Sequence, residues 1–428
     1  MAGATPGTPR VLRAMNDRAA LDLLLAHGPL SRTRIGRLTG LSKPTASQLL
    51  ARLEACGLVV ATGTAGGRPG PSAQLYALNA SAAHVAGLDV TPERIRAAVA
   101  DLAGTVIGTH EVVLGDSDRP GAVAQVTGAL DGAVKAAGLH RTGLHRVVIG
   151  TPGAFDPHTG RLRYASHLPG WHSPTLLDEL AAVLPMPVEY ENDVNLVAVA
   201  EQQLGAARGH DDFVLLWNES GVGAALVLGG RLHRGWTGGA GEVGFMPVPG
   251  TPLVRGVTRV NTGGYQELAG VGVVPRLARA LGIEPPPAAP DSPYDPEVTA
   301  SIALLEWAAA EVAADAAAGE GPAGEVLVGD GPGRELLANF ATGLATGLAS
   351  MVAVLDPEVV VLSGALITAG GELLRALVES ELAELAASRP RLVVGEVREE
   401  PVLRGALASA LAATRDEVFD TSRFDPAR

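Results

Sequence analysis

The first 60 residues carry apolar side chains at helical spacing. A first amphipathic helix is predicted by five of them: Leu12, Ala19, Leu21, Leu24 and Leu25. Glycine and proline at positions 28–29 end this helix. Ser31 and Ser42 are suited to cap a second and a third helix, with a turn at Gly40 between them. The pattern therefore predicts three short helices within the first 55 residues.

The third predicted helix has two different faces. Apolar residues at positions i, i+3, i+4 and i+7 predict a face that packs inward: Ala46, Leu49, Leu50 and Leu53. Thr45, Gln48 and Arg52 are then expected to face outward, and Lys43 opens the helix. An outward face of hydrogen-bonding groups suits a helix in the major groove of DNA, because base edges are read through donors and acceptors.

Two β-rich stretches, 58–60 and 74–78, follow this helix and predict a two-stranded wing with a basic tip at Arg68. We therefore predict that residues 1–80 form a winged helix-turn-helix domain that binds double-stranded operator DNA. The candidate DNA contacts are Arg32, Ser42, Lys43, Thr45, Ser47, Gln48, Arg52 and Arg68. The alternative is a small helical or protein-docking module with solvated charges.

Charge is distributed unevenly along the chain. Residues 1–80 contain nine Arg and Lys against three Asp and Glu, a net charge of +6. The remaining residues contain 24 bases and 43 acids, a net charge of −19. This asymmetry favours a head that faces nucleic acid and an acidic body that does not.

From residue 84 onward, strand-like segments alternate with helical segments in two similar cycles, which is typical of an α/β fold. The predicted divisions are a first lobe over 84–205, a second lobe over 206–412 with a proline-rich surface loop over 284–296, and a C-terminal tail over 413–428. Ligands in such folds bind at the carboxyl ends of strands, where loops such as Glu191-Asn192-Asp193 emerge.

Composition excludes several kinds of site. The single cysteine, Cys56, excludes an intramolecular disulfide and a zinc site built from several cysteines. No window approaches about 18 uninterrupted apolar residues, and the first nine residues lack the features of a secretory signal. We therefore expect a cytoplasmic protein with no membrane partner.

Six motifs occur in the same order as in the ROK family, which contains sugar kinases and sugar-responsive transcriptional repressors. They are Thr151-Pro152-Gly153, Leu168-Pro169-Gly170-Trp171, Glu191-Asn192-Asp193, Ser220-Gly221-Val222-Gly223, the run 239–244 and the run 356–364. The chain resembles this family over nearly all of residues 84–412, and its head resembles the winged helix-turn-helix of the family's repressors. The resemblance implies a two-lobed actin-like, hexokinase-like fold with a sugar held between the lobes.

The resemblance also implies a sugar site. Asn192 and Asp193 would bind sugar hydroxyls, and in the family's kinases that Asp is the catalytic base. Glu242, Glu267 and, in place of a family Asn, His167 would complete the pocket. From the residues alone, Asn192 and Asp193 also fit helix N-caps, and the other three fit ordinary loop positions.

Departures from the family bear on the chemistry. Where the kinases have Asp-x-Gly-Gly-Thr, this chain reads Asp89-Val90-Thr91-Pro92-Glu93, which replaces backbone N–H donors for phosphate with proline and a carboxylate. The second phosphate loop reads Glu219-Ser220-Gly221. The histidine of the family's zinc site is Phe245, and no cysteine lies between 247 and 267. These changes predict no ATP binding, no metal and no cofactor.

The resulting hypothesis is a kinase-inactive, sugar-responsive transcriptional regulator. It would act as a repressor, bind operator DNA as a homodimer or tetramer, and respond to a small sugar or sugar phosphate. One alternative is a DNA-binding regulator whose body is only a ligand-free dimerisation scaffold. Another is an ATP-dependent sugar kinase that keeps Asp193 as its base.

Overall fold

The computed structural model describes most of the chain. The described residues are 9–64, 73–115, 120–156, 158–163, 168, 170–171, 173, 175–253, 263–287, 289, 292–318 and 331–421. Arg68 in the wing tip, His167 in the predicted sugar pocket and a strand predicted at 326–328 lie outside them.

The head contains three helices and a small antiparallel sheet, which confirms the predicted winged helix-turn-helix. Its elements are α1 (Pro9–His27), β1 (Leu30–Ser31), α2 (Arg32–Thr39), α3 (Lys43–Ala55), β2 (Val59–Thr64) and β3 (Gln74–Leu78). The strands pair in the order β1-β3-β2.

Local sequence explains the turn between α2 and α3. The Ser31 and Ser42 side chains each accept a hydrogen bond from a backbone N–H three residues later, which confirms both as N-caps. Gly40 ends α2 with a φ of 73°, a left-handed conformation that glycine adopts without steric strain. The inward face of α3 packs as predicted, because Ala46, Leu49, Leu50 and Leu53 are buried.

The first lobe is built on a five-stranded sheet. Its elements are β4 (His84–Val90), β5 (Arg94–Asp101), β6 (Val106–Val113), α4 (Ala122–Ala136), β7 (Leu144–Thr151), β8 (Ala154–Phe155), β9 (Leu162–Arg163), α5 (Leu176–Val183), β10 (Val188–Asn192) and α6 (Asp193–Leu204). The sheet order is β10-β7-β4-β5-β6, with β4 parallel to β7 and antiparallel to β5.

The second lobe repeats this arrangement. Its elements are β11 (Phe213–Asn218), β12 (Val222–Leu228), β13 (Arg231–Leu232), α7 (Gln266–Ala269), α8 (Val273–Ala280), α9 (Pro296–Ala318), α10 (Pro332–Leu355), β14 (Val359–Ser363), α11 (Ala365–Leu385) and β15 (Arg391–Val394). The sheet order is β15-β14-β11-β12-β13, the same succession of parallel and antiparallel pairs as in the first lobe. The prediction of two similar α/β lobes is confirmed.

The last described helix, α12 (Pro401–Val418), crosses back to the first lobe. Its buried face packs on the first-lobe sheet and on α6 through Leu403, Ala406, Leu407 and Ala410. The predicted tail was therefore wrong at 413–418, which continue this helix. Apolar residues at 403, 406, 407 and 410 have the i, i+3, i+4, i+7 spacing that is typical of a helix. The other predicted divisions stay predictions.

Helix α10 is the one described helix whose length and composition would suit a membrane span, with a mean hydropathy of 1.5. The sequence pattern did not predict such a segment. However, 56% of that window is buried inside the protein, and Leu336, Phe340, Leu344 and Leu348 lie in the second-lobe core. Burial against other helices accounts for its apolar composition.

Candidate functional site

A cleft of about 1440 Å³ lies between the two lobes. The first lobe contributes Asp89 from the end of β4 together with Asn192 and Asp193 at the junction of β10 and α6. The second lobe contributes Glu219, directly after β11, and Glu242. The cleft therefore lies at the carboxyl ends of strands, as expected for this class of fold.

Asn192 is held by its own neighbours. Its side-chain oxygen accepts a hydrogen bond from the backbone N–H of Asn195 at 3.1 Å, so it caps α6. Its amide nitrogen donates to the carbonyl of Gly153 at 3.0 Å, which ties the start of α6 to the loop after β7. The N-cap alternative is thus confirmed for Asn192, and it fixes the side chain at the wall of the cleft.

Asp193 follows at the first position of α6. One carboxylate oxygen accepts a hydrogen bond from the Val194 N–H at 2.8 Å. Burial raises the pKa of Asp193 to about 7, and the nearby carboxylates of Glu242, Asp89 and Glu219 act in the same direction. At neutral pH this group is therefore partly protonated, and it is able both to donate and to accept hydrogen bonds.

Glu242 reaches the cleft from the loop before a short 3-10 turn. The preceding Gly241 has a φ of 98°, and a Cβ there would lie 2.0 Å from the Ala224 carbonyl oxygen. This glycine lets the loop lie directly on β12. Burial raises the pKa of Glu242 to about 7.

Glu267 is not among the described residues that line the cleft, and its contact with a sugar stays a prediction. Its carboxylate accepts a hydrogen bond from the Gly263 N–H at 3.2 Å and lies 3.6 Å from the Arg276 guanidinium. The neighbouring Gln266 lines the cleft instead, and its side-chain oxygen accepts from the Val222 N–H at 2.9 Å. Successive residues of a helical turn point about 100° apart, so only one of the two faces inward.

The hairpin between β4 and β5 uses its backbone donors internally. The Thr91 hydroxyl oxygen accepts hydrogen bonds from the N–H groups of Glu93 at 3.3 Å and Arg94 at 3.2 Å. Arg94 lies 3.4 Å from the carboxylate of Asp89, whose pKa is raised by burial. The N–H groups that would face a phosphate in the kinase version of this hairpin therefore already have partners.

A second carboxylate occupies the opposite wall. Burial raises the pKa of Glu219 to about 7, although the nearby backbone N–H of Ala365, the first residue of α11, acts in the opposite direction. The end of the proline-rich segment also lines the cleft, where Asp295 lies 3.4 Å from the Ser220 hydroxyl. This segment is thus partly a cleft wall rather than only the surface loop predicted.

No group of three or more histidine, cysteine or acidic side chains is arranged to hold a metal ion within the parts of the chain that the structure describes. The prediction that the protein uses no metal stays a prediction.

In the head, Lys43, Thr45 and Gln48 are exposed along one face of α3, and Arg32 is exposed at the start of α2. The Ser47 hydroxyl donates to the Lys43 carbonyl at 2.9 Å and accepts from Arg32 at 3.1 Å.

The hydroxyls of Ser42 and Thr45 lie 2.8 Å apart. Ser42, Ser47 and Thr45 therefore each have a partner within the head, and Lys43 and Gln48 are exposed candidates for DNA contact.

Arg52 does not project from this face, which corrects the expectation that it points outward. Its guanidinium pairs with Asp17 of α1, with Nε donating to Oδ2 at 2.9 Å. The Asp17 side chain is fully buried. Sequence reasoning missed this pair, although Asp17 shares a helix face with Leu21 and Leu24, a position where an acid requires a buried partner.

Comparison with known proteins finds a family match for each of the two parts of the chain, the head and the body. A model of the ROK family matches residues 85–263, and a model of the MarR family matches residues 15–68. The xylose repressor of Caldicellulosiruptor bescii is 27% identical over 244 residues, which cover 56% of this chain and 61% of that protein. The glucokinase of Thermotoga maritima is 39% identical over 114 residues, which cover 26% of this chain and 36% of that protein.

The chain thus spans less than two thirds of the length of these curated relatives. A solved ROK family transcriptional regulator, a homologue of the E. coli MLC protein, is similar in fold with a TM-score of 0.67 and 18% identity. That similarity covers 96% of this chain and 98% of the solved chain, head included. The chain therefore contains a segment that matches the ROK family over residues 85–263, preceded by a segment that matches the MarR family over residues 15–68.

Proposed function

We propose that the protein is a sugar-responsive transcriptional repressor that acts in the cytoplasm. The observation that carries the proposal is the combination, in one chain, of an exposed polar helix face on a basic head and a polar cleft between two lobes. Relatives named xylose repressors support the same reading. The head would bind an inverted-repeat operator as part of a homodimer or tetramer, since two-fold symmetric DNA sites match two-fold symmetric proteins.

The proposed effector is a small sugar bound by Asn192, Asp193 and Glu242. These side chains line one cleft, and their oxygens and amide suit the directional hydrogen bonds that sugar hydroxyls require. His167 is a further candidate outside the described residues. The acidic lining disfavours a sugar phosphate, because a phosphate would add charge of the same sign to a partly desolvated site.

We further propose that the body does not transfer phosphate. Phosphoryl transfer depends on groups that position and neutralise the phosphates of ATP. In this chain the hairpin donors bond to Thr91, and the Glu219 carboxylate occupies the N-terminus of α11. Both features support a cleft that excludes a triphosphate.

A sugar kinase is the second candidate, because the Thermotoga maritima relative is a glucokinase and Asp193 has a pKa near 7. A carboxylate whose pKa lies close to the working pH suits a general base. An assay of ATP consumption across a sugar panel separates the two candidates. Sugar-dependent conversion of ATP to ADP, with transfer of the phosphoryl group to a sugar hydroxyl, would support the kinase, and its absence is expected for the repressor.

The test of the proposed function is fluorescence anisotropy of the protein on DNA from upstream of its own gene, against scrambled DNA. The titration is repeated with D-xylose, D-glucose and their phosphates. We expect specific binding that one unphosphorylated sugar shifts. Specific binding that no sugar shifts would instead favour a ligand-free dimerisation scaffold, and the absence of specific binding would contradict the proposal.

A further inference from the structure

We propose that helix α12 couples the interlobe cleft to the DNA-facing helix α3, through a buried node formed by Asp17, Arg52 and Thr421. This inference rests on the proposed function and names how the cleft would regulate the head. It is carried by the contacts that α12 makes at its start, along its length and beyond its end.

The start of α12 lies at the cleft. Glu400, Pro401 and Val402 line it, and the carboxylate of Glu400 lies 3.4 Å from the guanidinium of Arg96 in β5 of the first lobe. Glu400 has a φ of 47°, a left-handed conformation that is uncommon for a residue with a side chain. A ligand that fills this part of the cleft therefore meets the first turn of α12 directly.

The middle of α12 packs tightly on α6, the helix that begins at Asp193. A Cβ on Gly405 would lie only 1.9 Å from the carbonyl oxygen of Leu196, so the two backbones are in direct contact. Leu196 itself is fully buried between α12 and the first-lobe sheet. Close-packed helices transmit a displacement because no free volume separates them. A shift of Asp193 on sugar binding is therefore passed to α12.

The segment after α12 enters the head. Phe419 is 1% exposed and packs among α1, α3 and wing residues that include Leu21 and Leu53. Arg18 of α1 lies over the Phe419 ring and pairs with Asp416 at 2.8 Å. The chain thus leaves the body helix and becomes part of the hydrophobic core of the head.

The node itself joins three elements. The Thr421 hydroxyl donates to Asp17 Oδ2 at 2.7 Å, and Arg52 Nε donates to the same oxygen at 2.9 Å. Asp17 is fully buried on α1, Arg52 belongs to α3, and Thr421 follows α12. A buried carboxylate holds its partners firmly, because an unsatisfied charge in the interior is costly. Movement of the segment 419–421 therefore changes how Asp17 holds the DNA-facing helix.

The coupling is tested by hydrogen exchange with mass spectrometry on the full chain. Thr421→Val removes the hydroxyl bond to Asp17 and keeps the side-chain shape. Thr127→Val is the matched control, because its hydroxyl donates to a carbonyl within α4, remote from the node. Asp416→Asn is a second, milder variant that weakens only the exposed pair with Arg18.

We expect Thr421→Val to speed exchange about tenfold in α3, and also to speed exchange in the first turns of α12 and α6, because coupling between two sites is reciprocal. Asp416→Asn is expected to speed exchange in the same segments to a smaller extent, and Thr127→Val is expected to leave exchange in all of them unchanged. Faster exchange confined to the head, or no change in α3, would overturn the coupling.

The same experiment with D-xylose and D-glucose separates this inference from the proposed function. A sugar that protects the start of α6 is expected to alter exchange in α3 of the unaltered protein, and to do so much less in Thr421→Val. An equal response of α3 in both proteins would overturn the coupling. If neither sugar protects α6, the result weighs against these sugars as effectors, and the ligand-free comparison of the variants still decides the coupling.

Discussion

The carboxylate of Glu219 lies near the backbone N–H of Ala365, at the first turn of α11. Helix N-termini are favourable sites for phosphate, because their N–H groups lack partners within the helix. Here a side chain of the protein itself occupies that position. The Thr91 hydroxyl does the same for two N–H groups of the hairpin after β4. In the hairpin, these N–H groups therefore have partners within the protein.

We expect no detectable binding of Mg-ATP. The acidic side chains Asp89, Glu219 and Asp295 line the part of the cleft where a triphosphate would lie, and like charges repel strongly where water is partly excluded. Titration calorimetry with Mg-ATP checks this, with a sugar titration of the same sample as the control for a competent cleft. Saturable heat of binding at micromolar to low-millimolar ATP would refute it.

The raised pKa of Glu219 predicts a pH dependence of stability. Because the folded-state pKa of about 7 exceeds that of the unfolded chain, the folded protein binds more protons between those values. This contribution to stability is present at acidic pH and is lost as the pH rises through about 7.

Glu219→Gln removes the cost of holding an ionised carboxylate in a buried position. We therefore expect the melting temperature of this variant near pH 8.5 to exceed that of the unaltered protein by about 2–4 °C. Near pH 5 the two proteins are expected to differ less. Thermal unfolding across this range is the measurement. A difference that stays constant with pH would rule out titration of Glu219 as the cause. Asp193 and Glu242 also have pKa values raised to about 7, so some pH dependence remains in the variant.

Asp193→Asn and Glu267→Gln form a matched pair for sugar binding. Asp193 lines the cleft, whereas Glu267 points away and lies beside Arg276. We expect Asp193→Asn to weaken binding of the responsive sugar by about 10-fold or more, since a charged or directional hydrogen bond is lost. Glu267→Gln should change the affinity less than about twofold. Calorimetry that gives the reverse order would contradict the site.

Gln48→Ala and Lys43→Ala separate base reading from phosphate contact. Both side chains are exposed on α3. A residue that reads a base contributes about 1–3 kcal/mol of discrimination, so Gln48→Ala should reduce the preference for operator over scrambled DNA. Lys43→Ala should weaken binding to both DNAs and lower the salt-dependence slope by about 1. Anisotropy titrations at several salt concentrations check both, and equal effects on both DNAs by Gln48→Ala would contradict base reading.

Arg52→Ala is expected to behave differently from Lys43→Ala. Its guanidinium holds the buried Asp17, so removing it leaves a buried carboxylate with one partner fewer. We expect a loss of about 2 kcal/mol in the free energy of unfolding of the head, with an unchanged salt slope for DNA binding. Urea unfolding measures the free energy of unfolding, and anisotropy titrations at several salt concentrations measure the salt slope of DNA binding. If Arg52→Ala keeps full stability but shows a lower salt slope for DNA binding, Arg52 contacts DNA and this prediction is wrong.

The sequence predicted those parts of the fold that depend on local patterns. Serine caps and an apolar repeat defined α3, because both signals lie within a few residues of each other. The succession of strands and helices predicted two similar lobes, and the sheet orders confirm it. The family motifs led to Asn192, Asp193 and Glu242, which the structure brings into one cleft.

The errors arose where long-range contacts decide the outcome. Arg52 lies at a position of α3 that the apolar pattern assigns to the outward face. Its side chain instead donates a hydrogen bond to the buried Asp17, which lies 35 positions earlier in the chain. The sequence did not indicate Gln266, which lines the cleft and accepts a hydrogen bond from the Val222 N–H 44 positions earlier. Phe419 and Thr421 follow a helix and resemble a tail, but their partners are in α1. None of these partners is visible in a local pattern.

We expect a ligand in the cleft to change the affinity of the head for DNA. The reciprocal experiment tests this: the responsive sugar is titrated into the protein with and without bound operator DNA. DNA is expected to change the affinity for sugar by the same factor by which sugar changes the affinity for DNA, about 5- to 150-fold, and Asp193→Asn is expected to lower sugar affinity in both states. An affinity for sugar that is identical with and without operator DNA would contradict it.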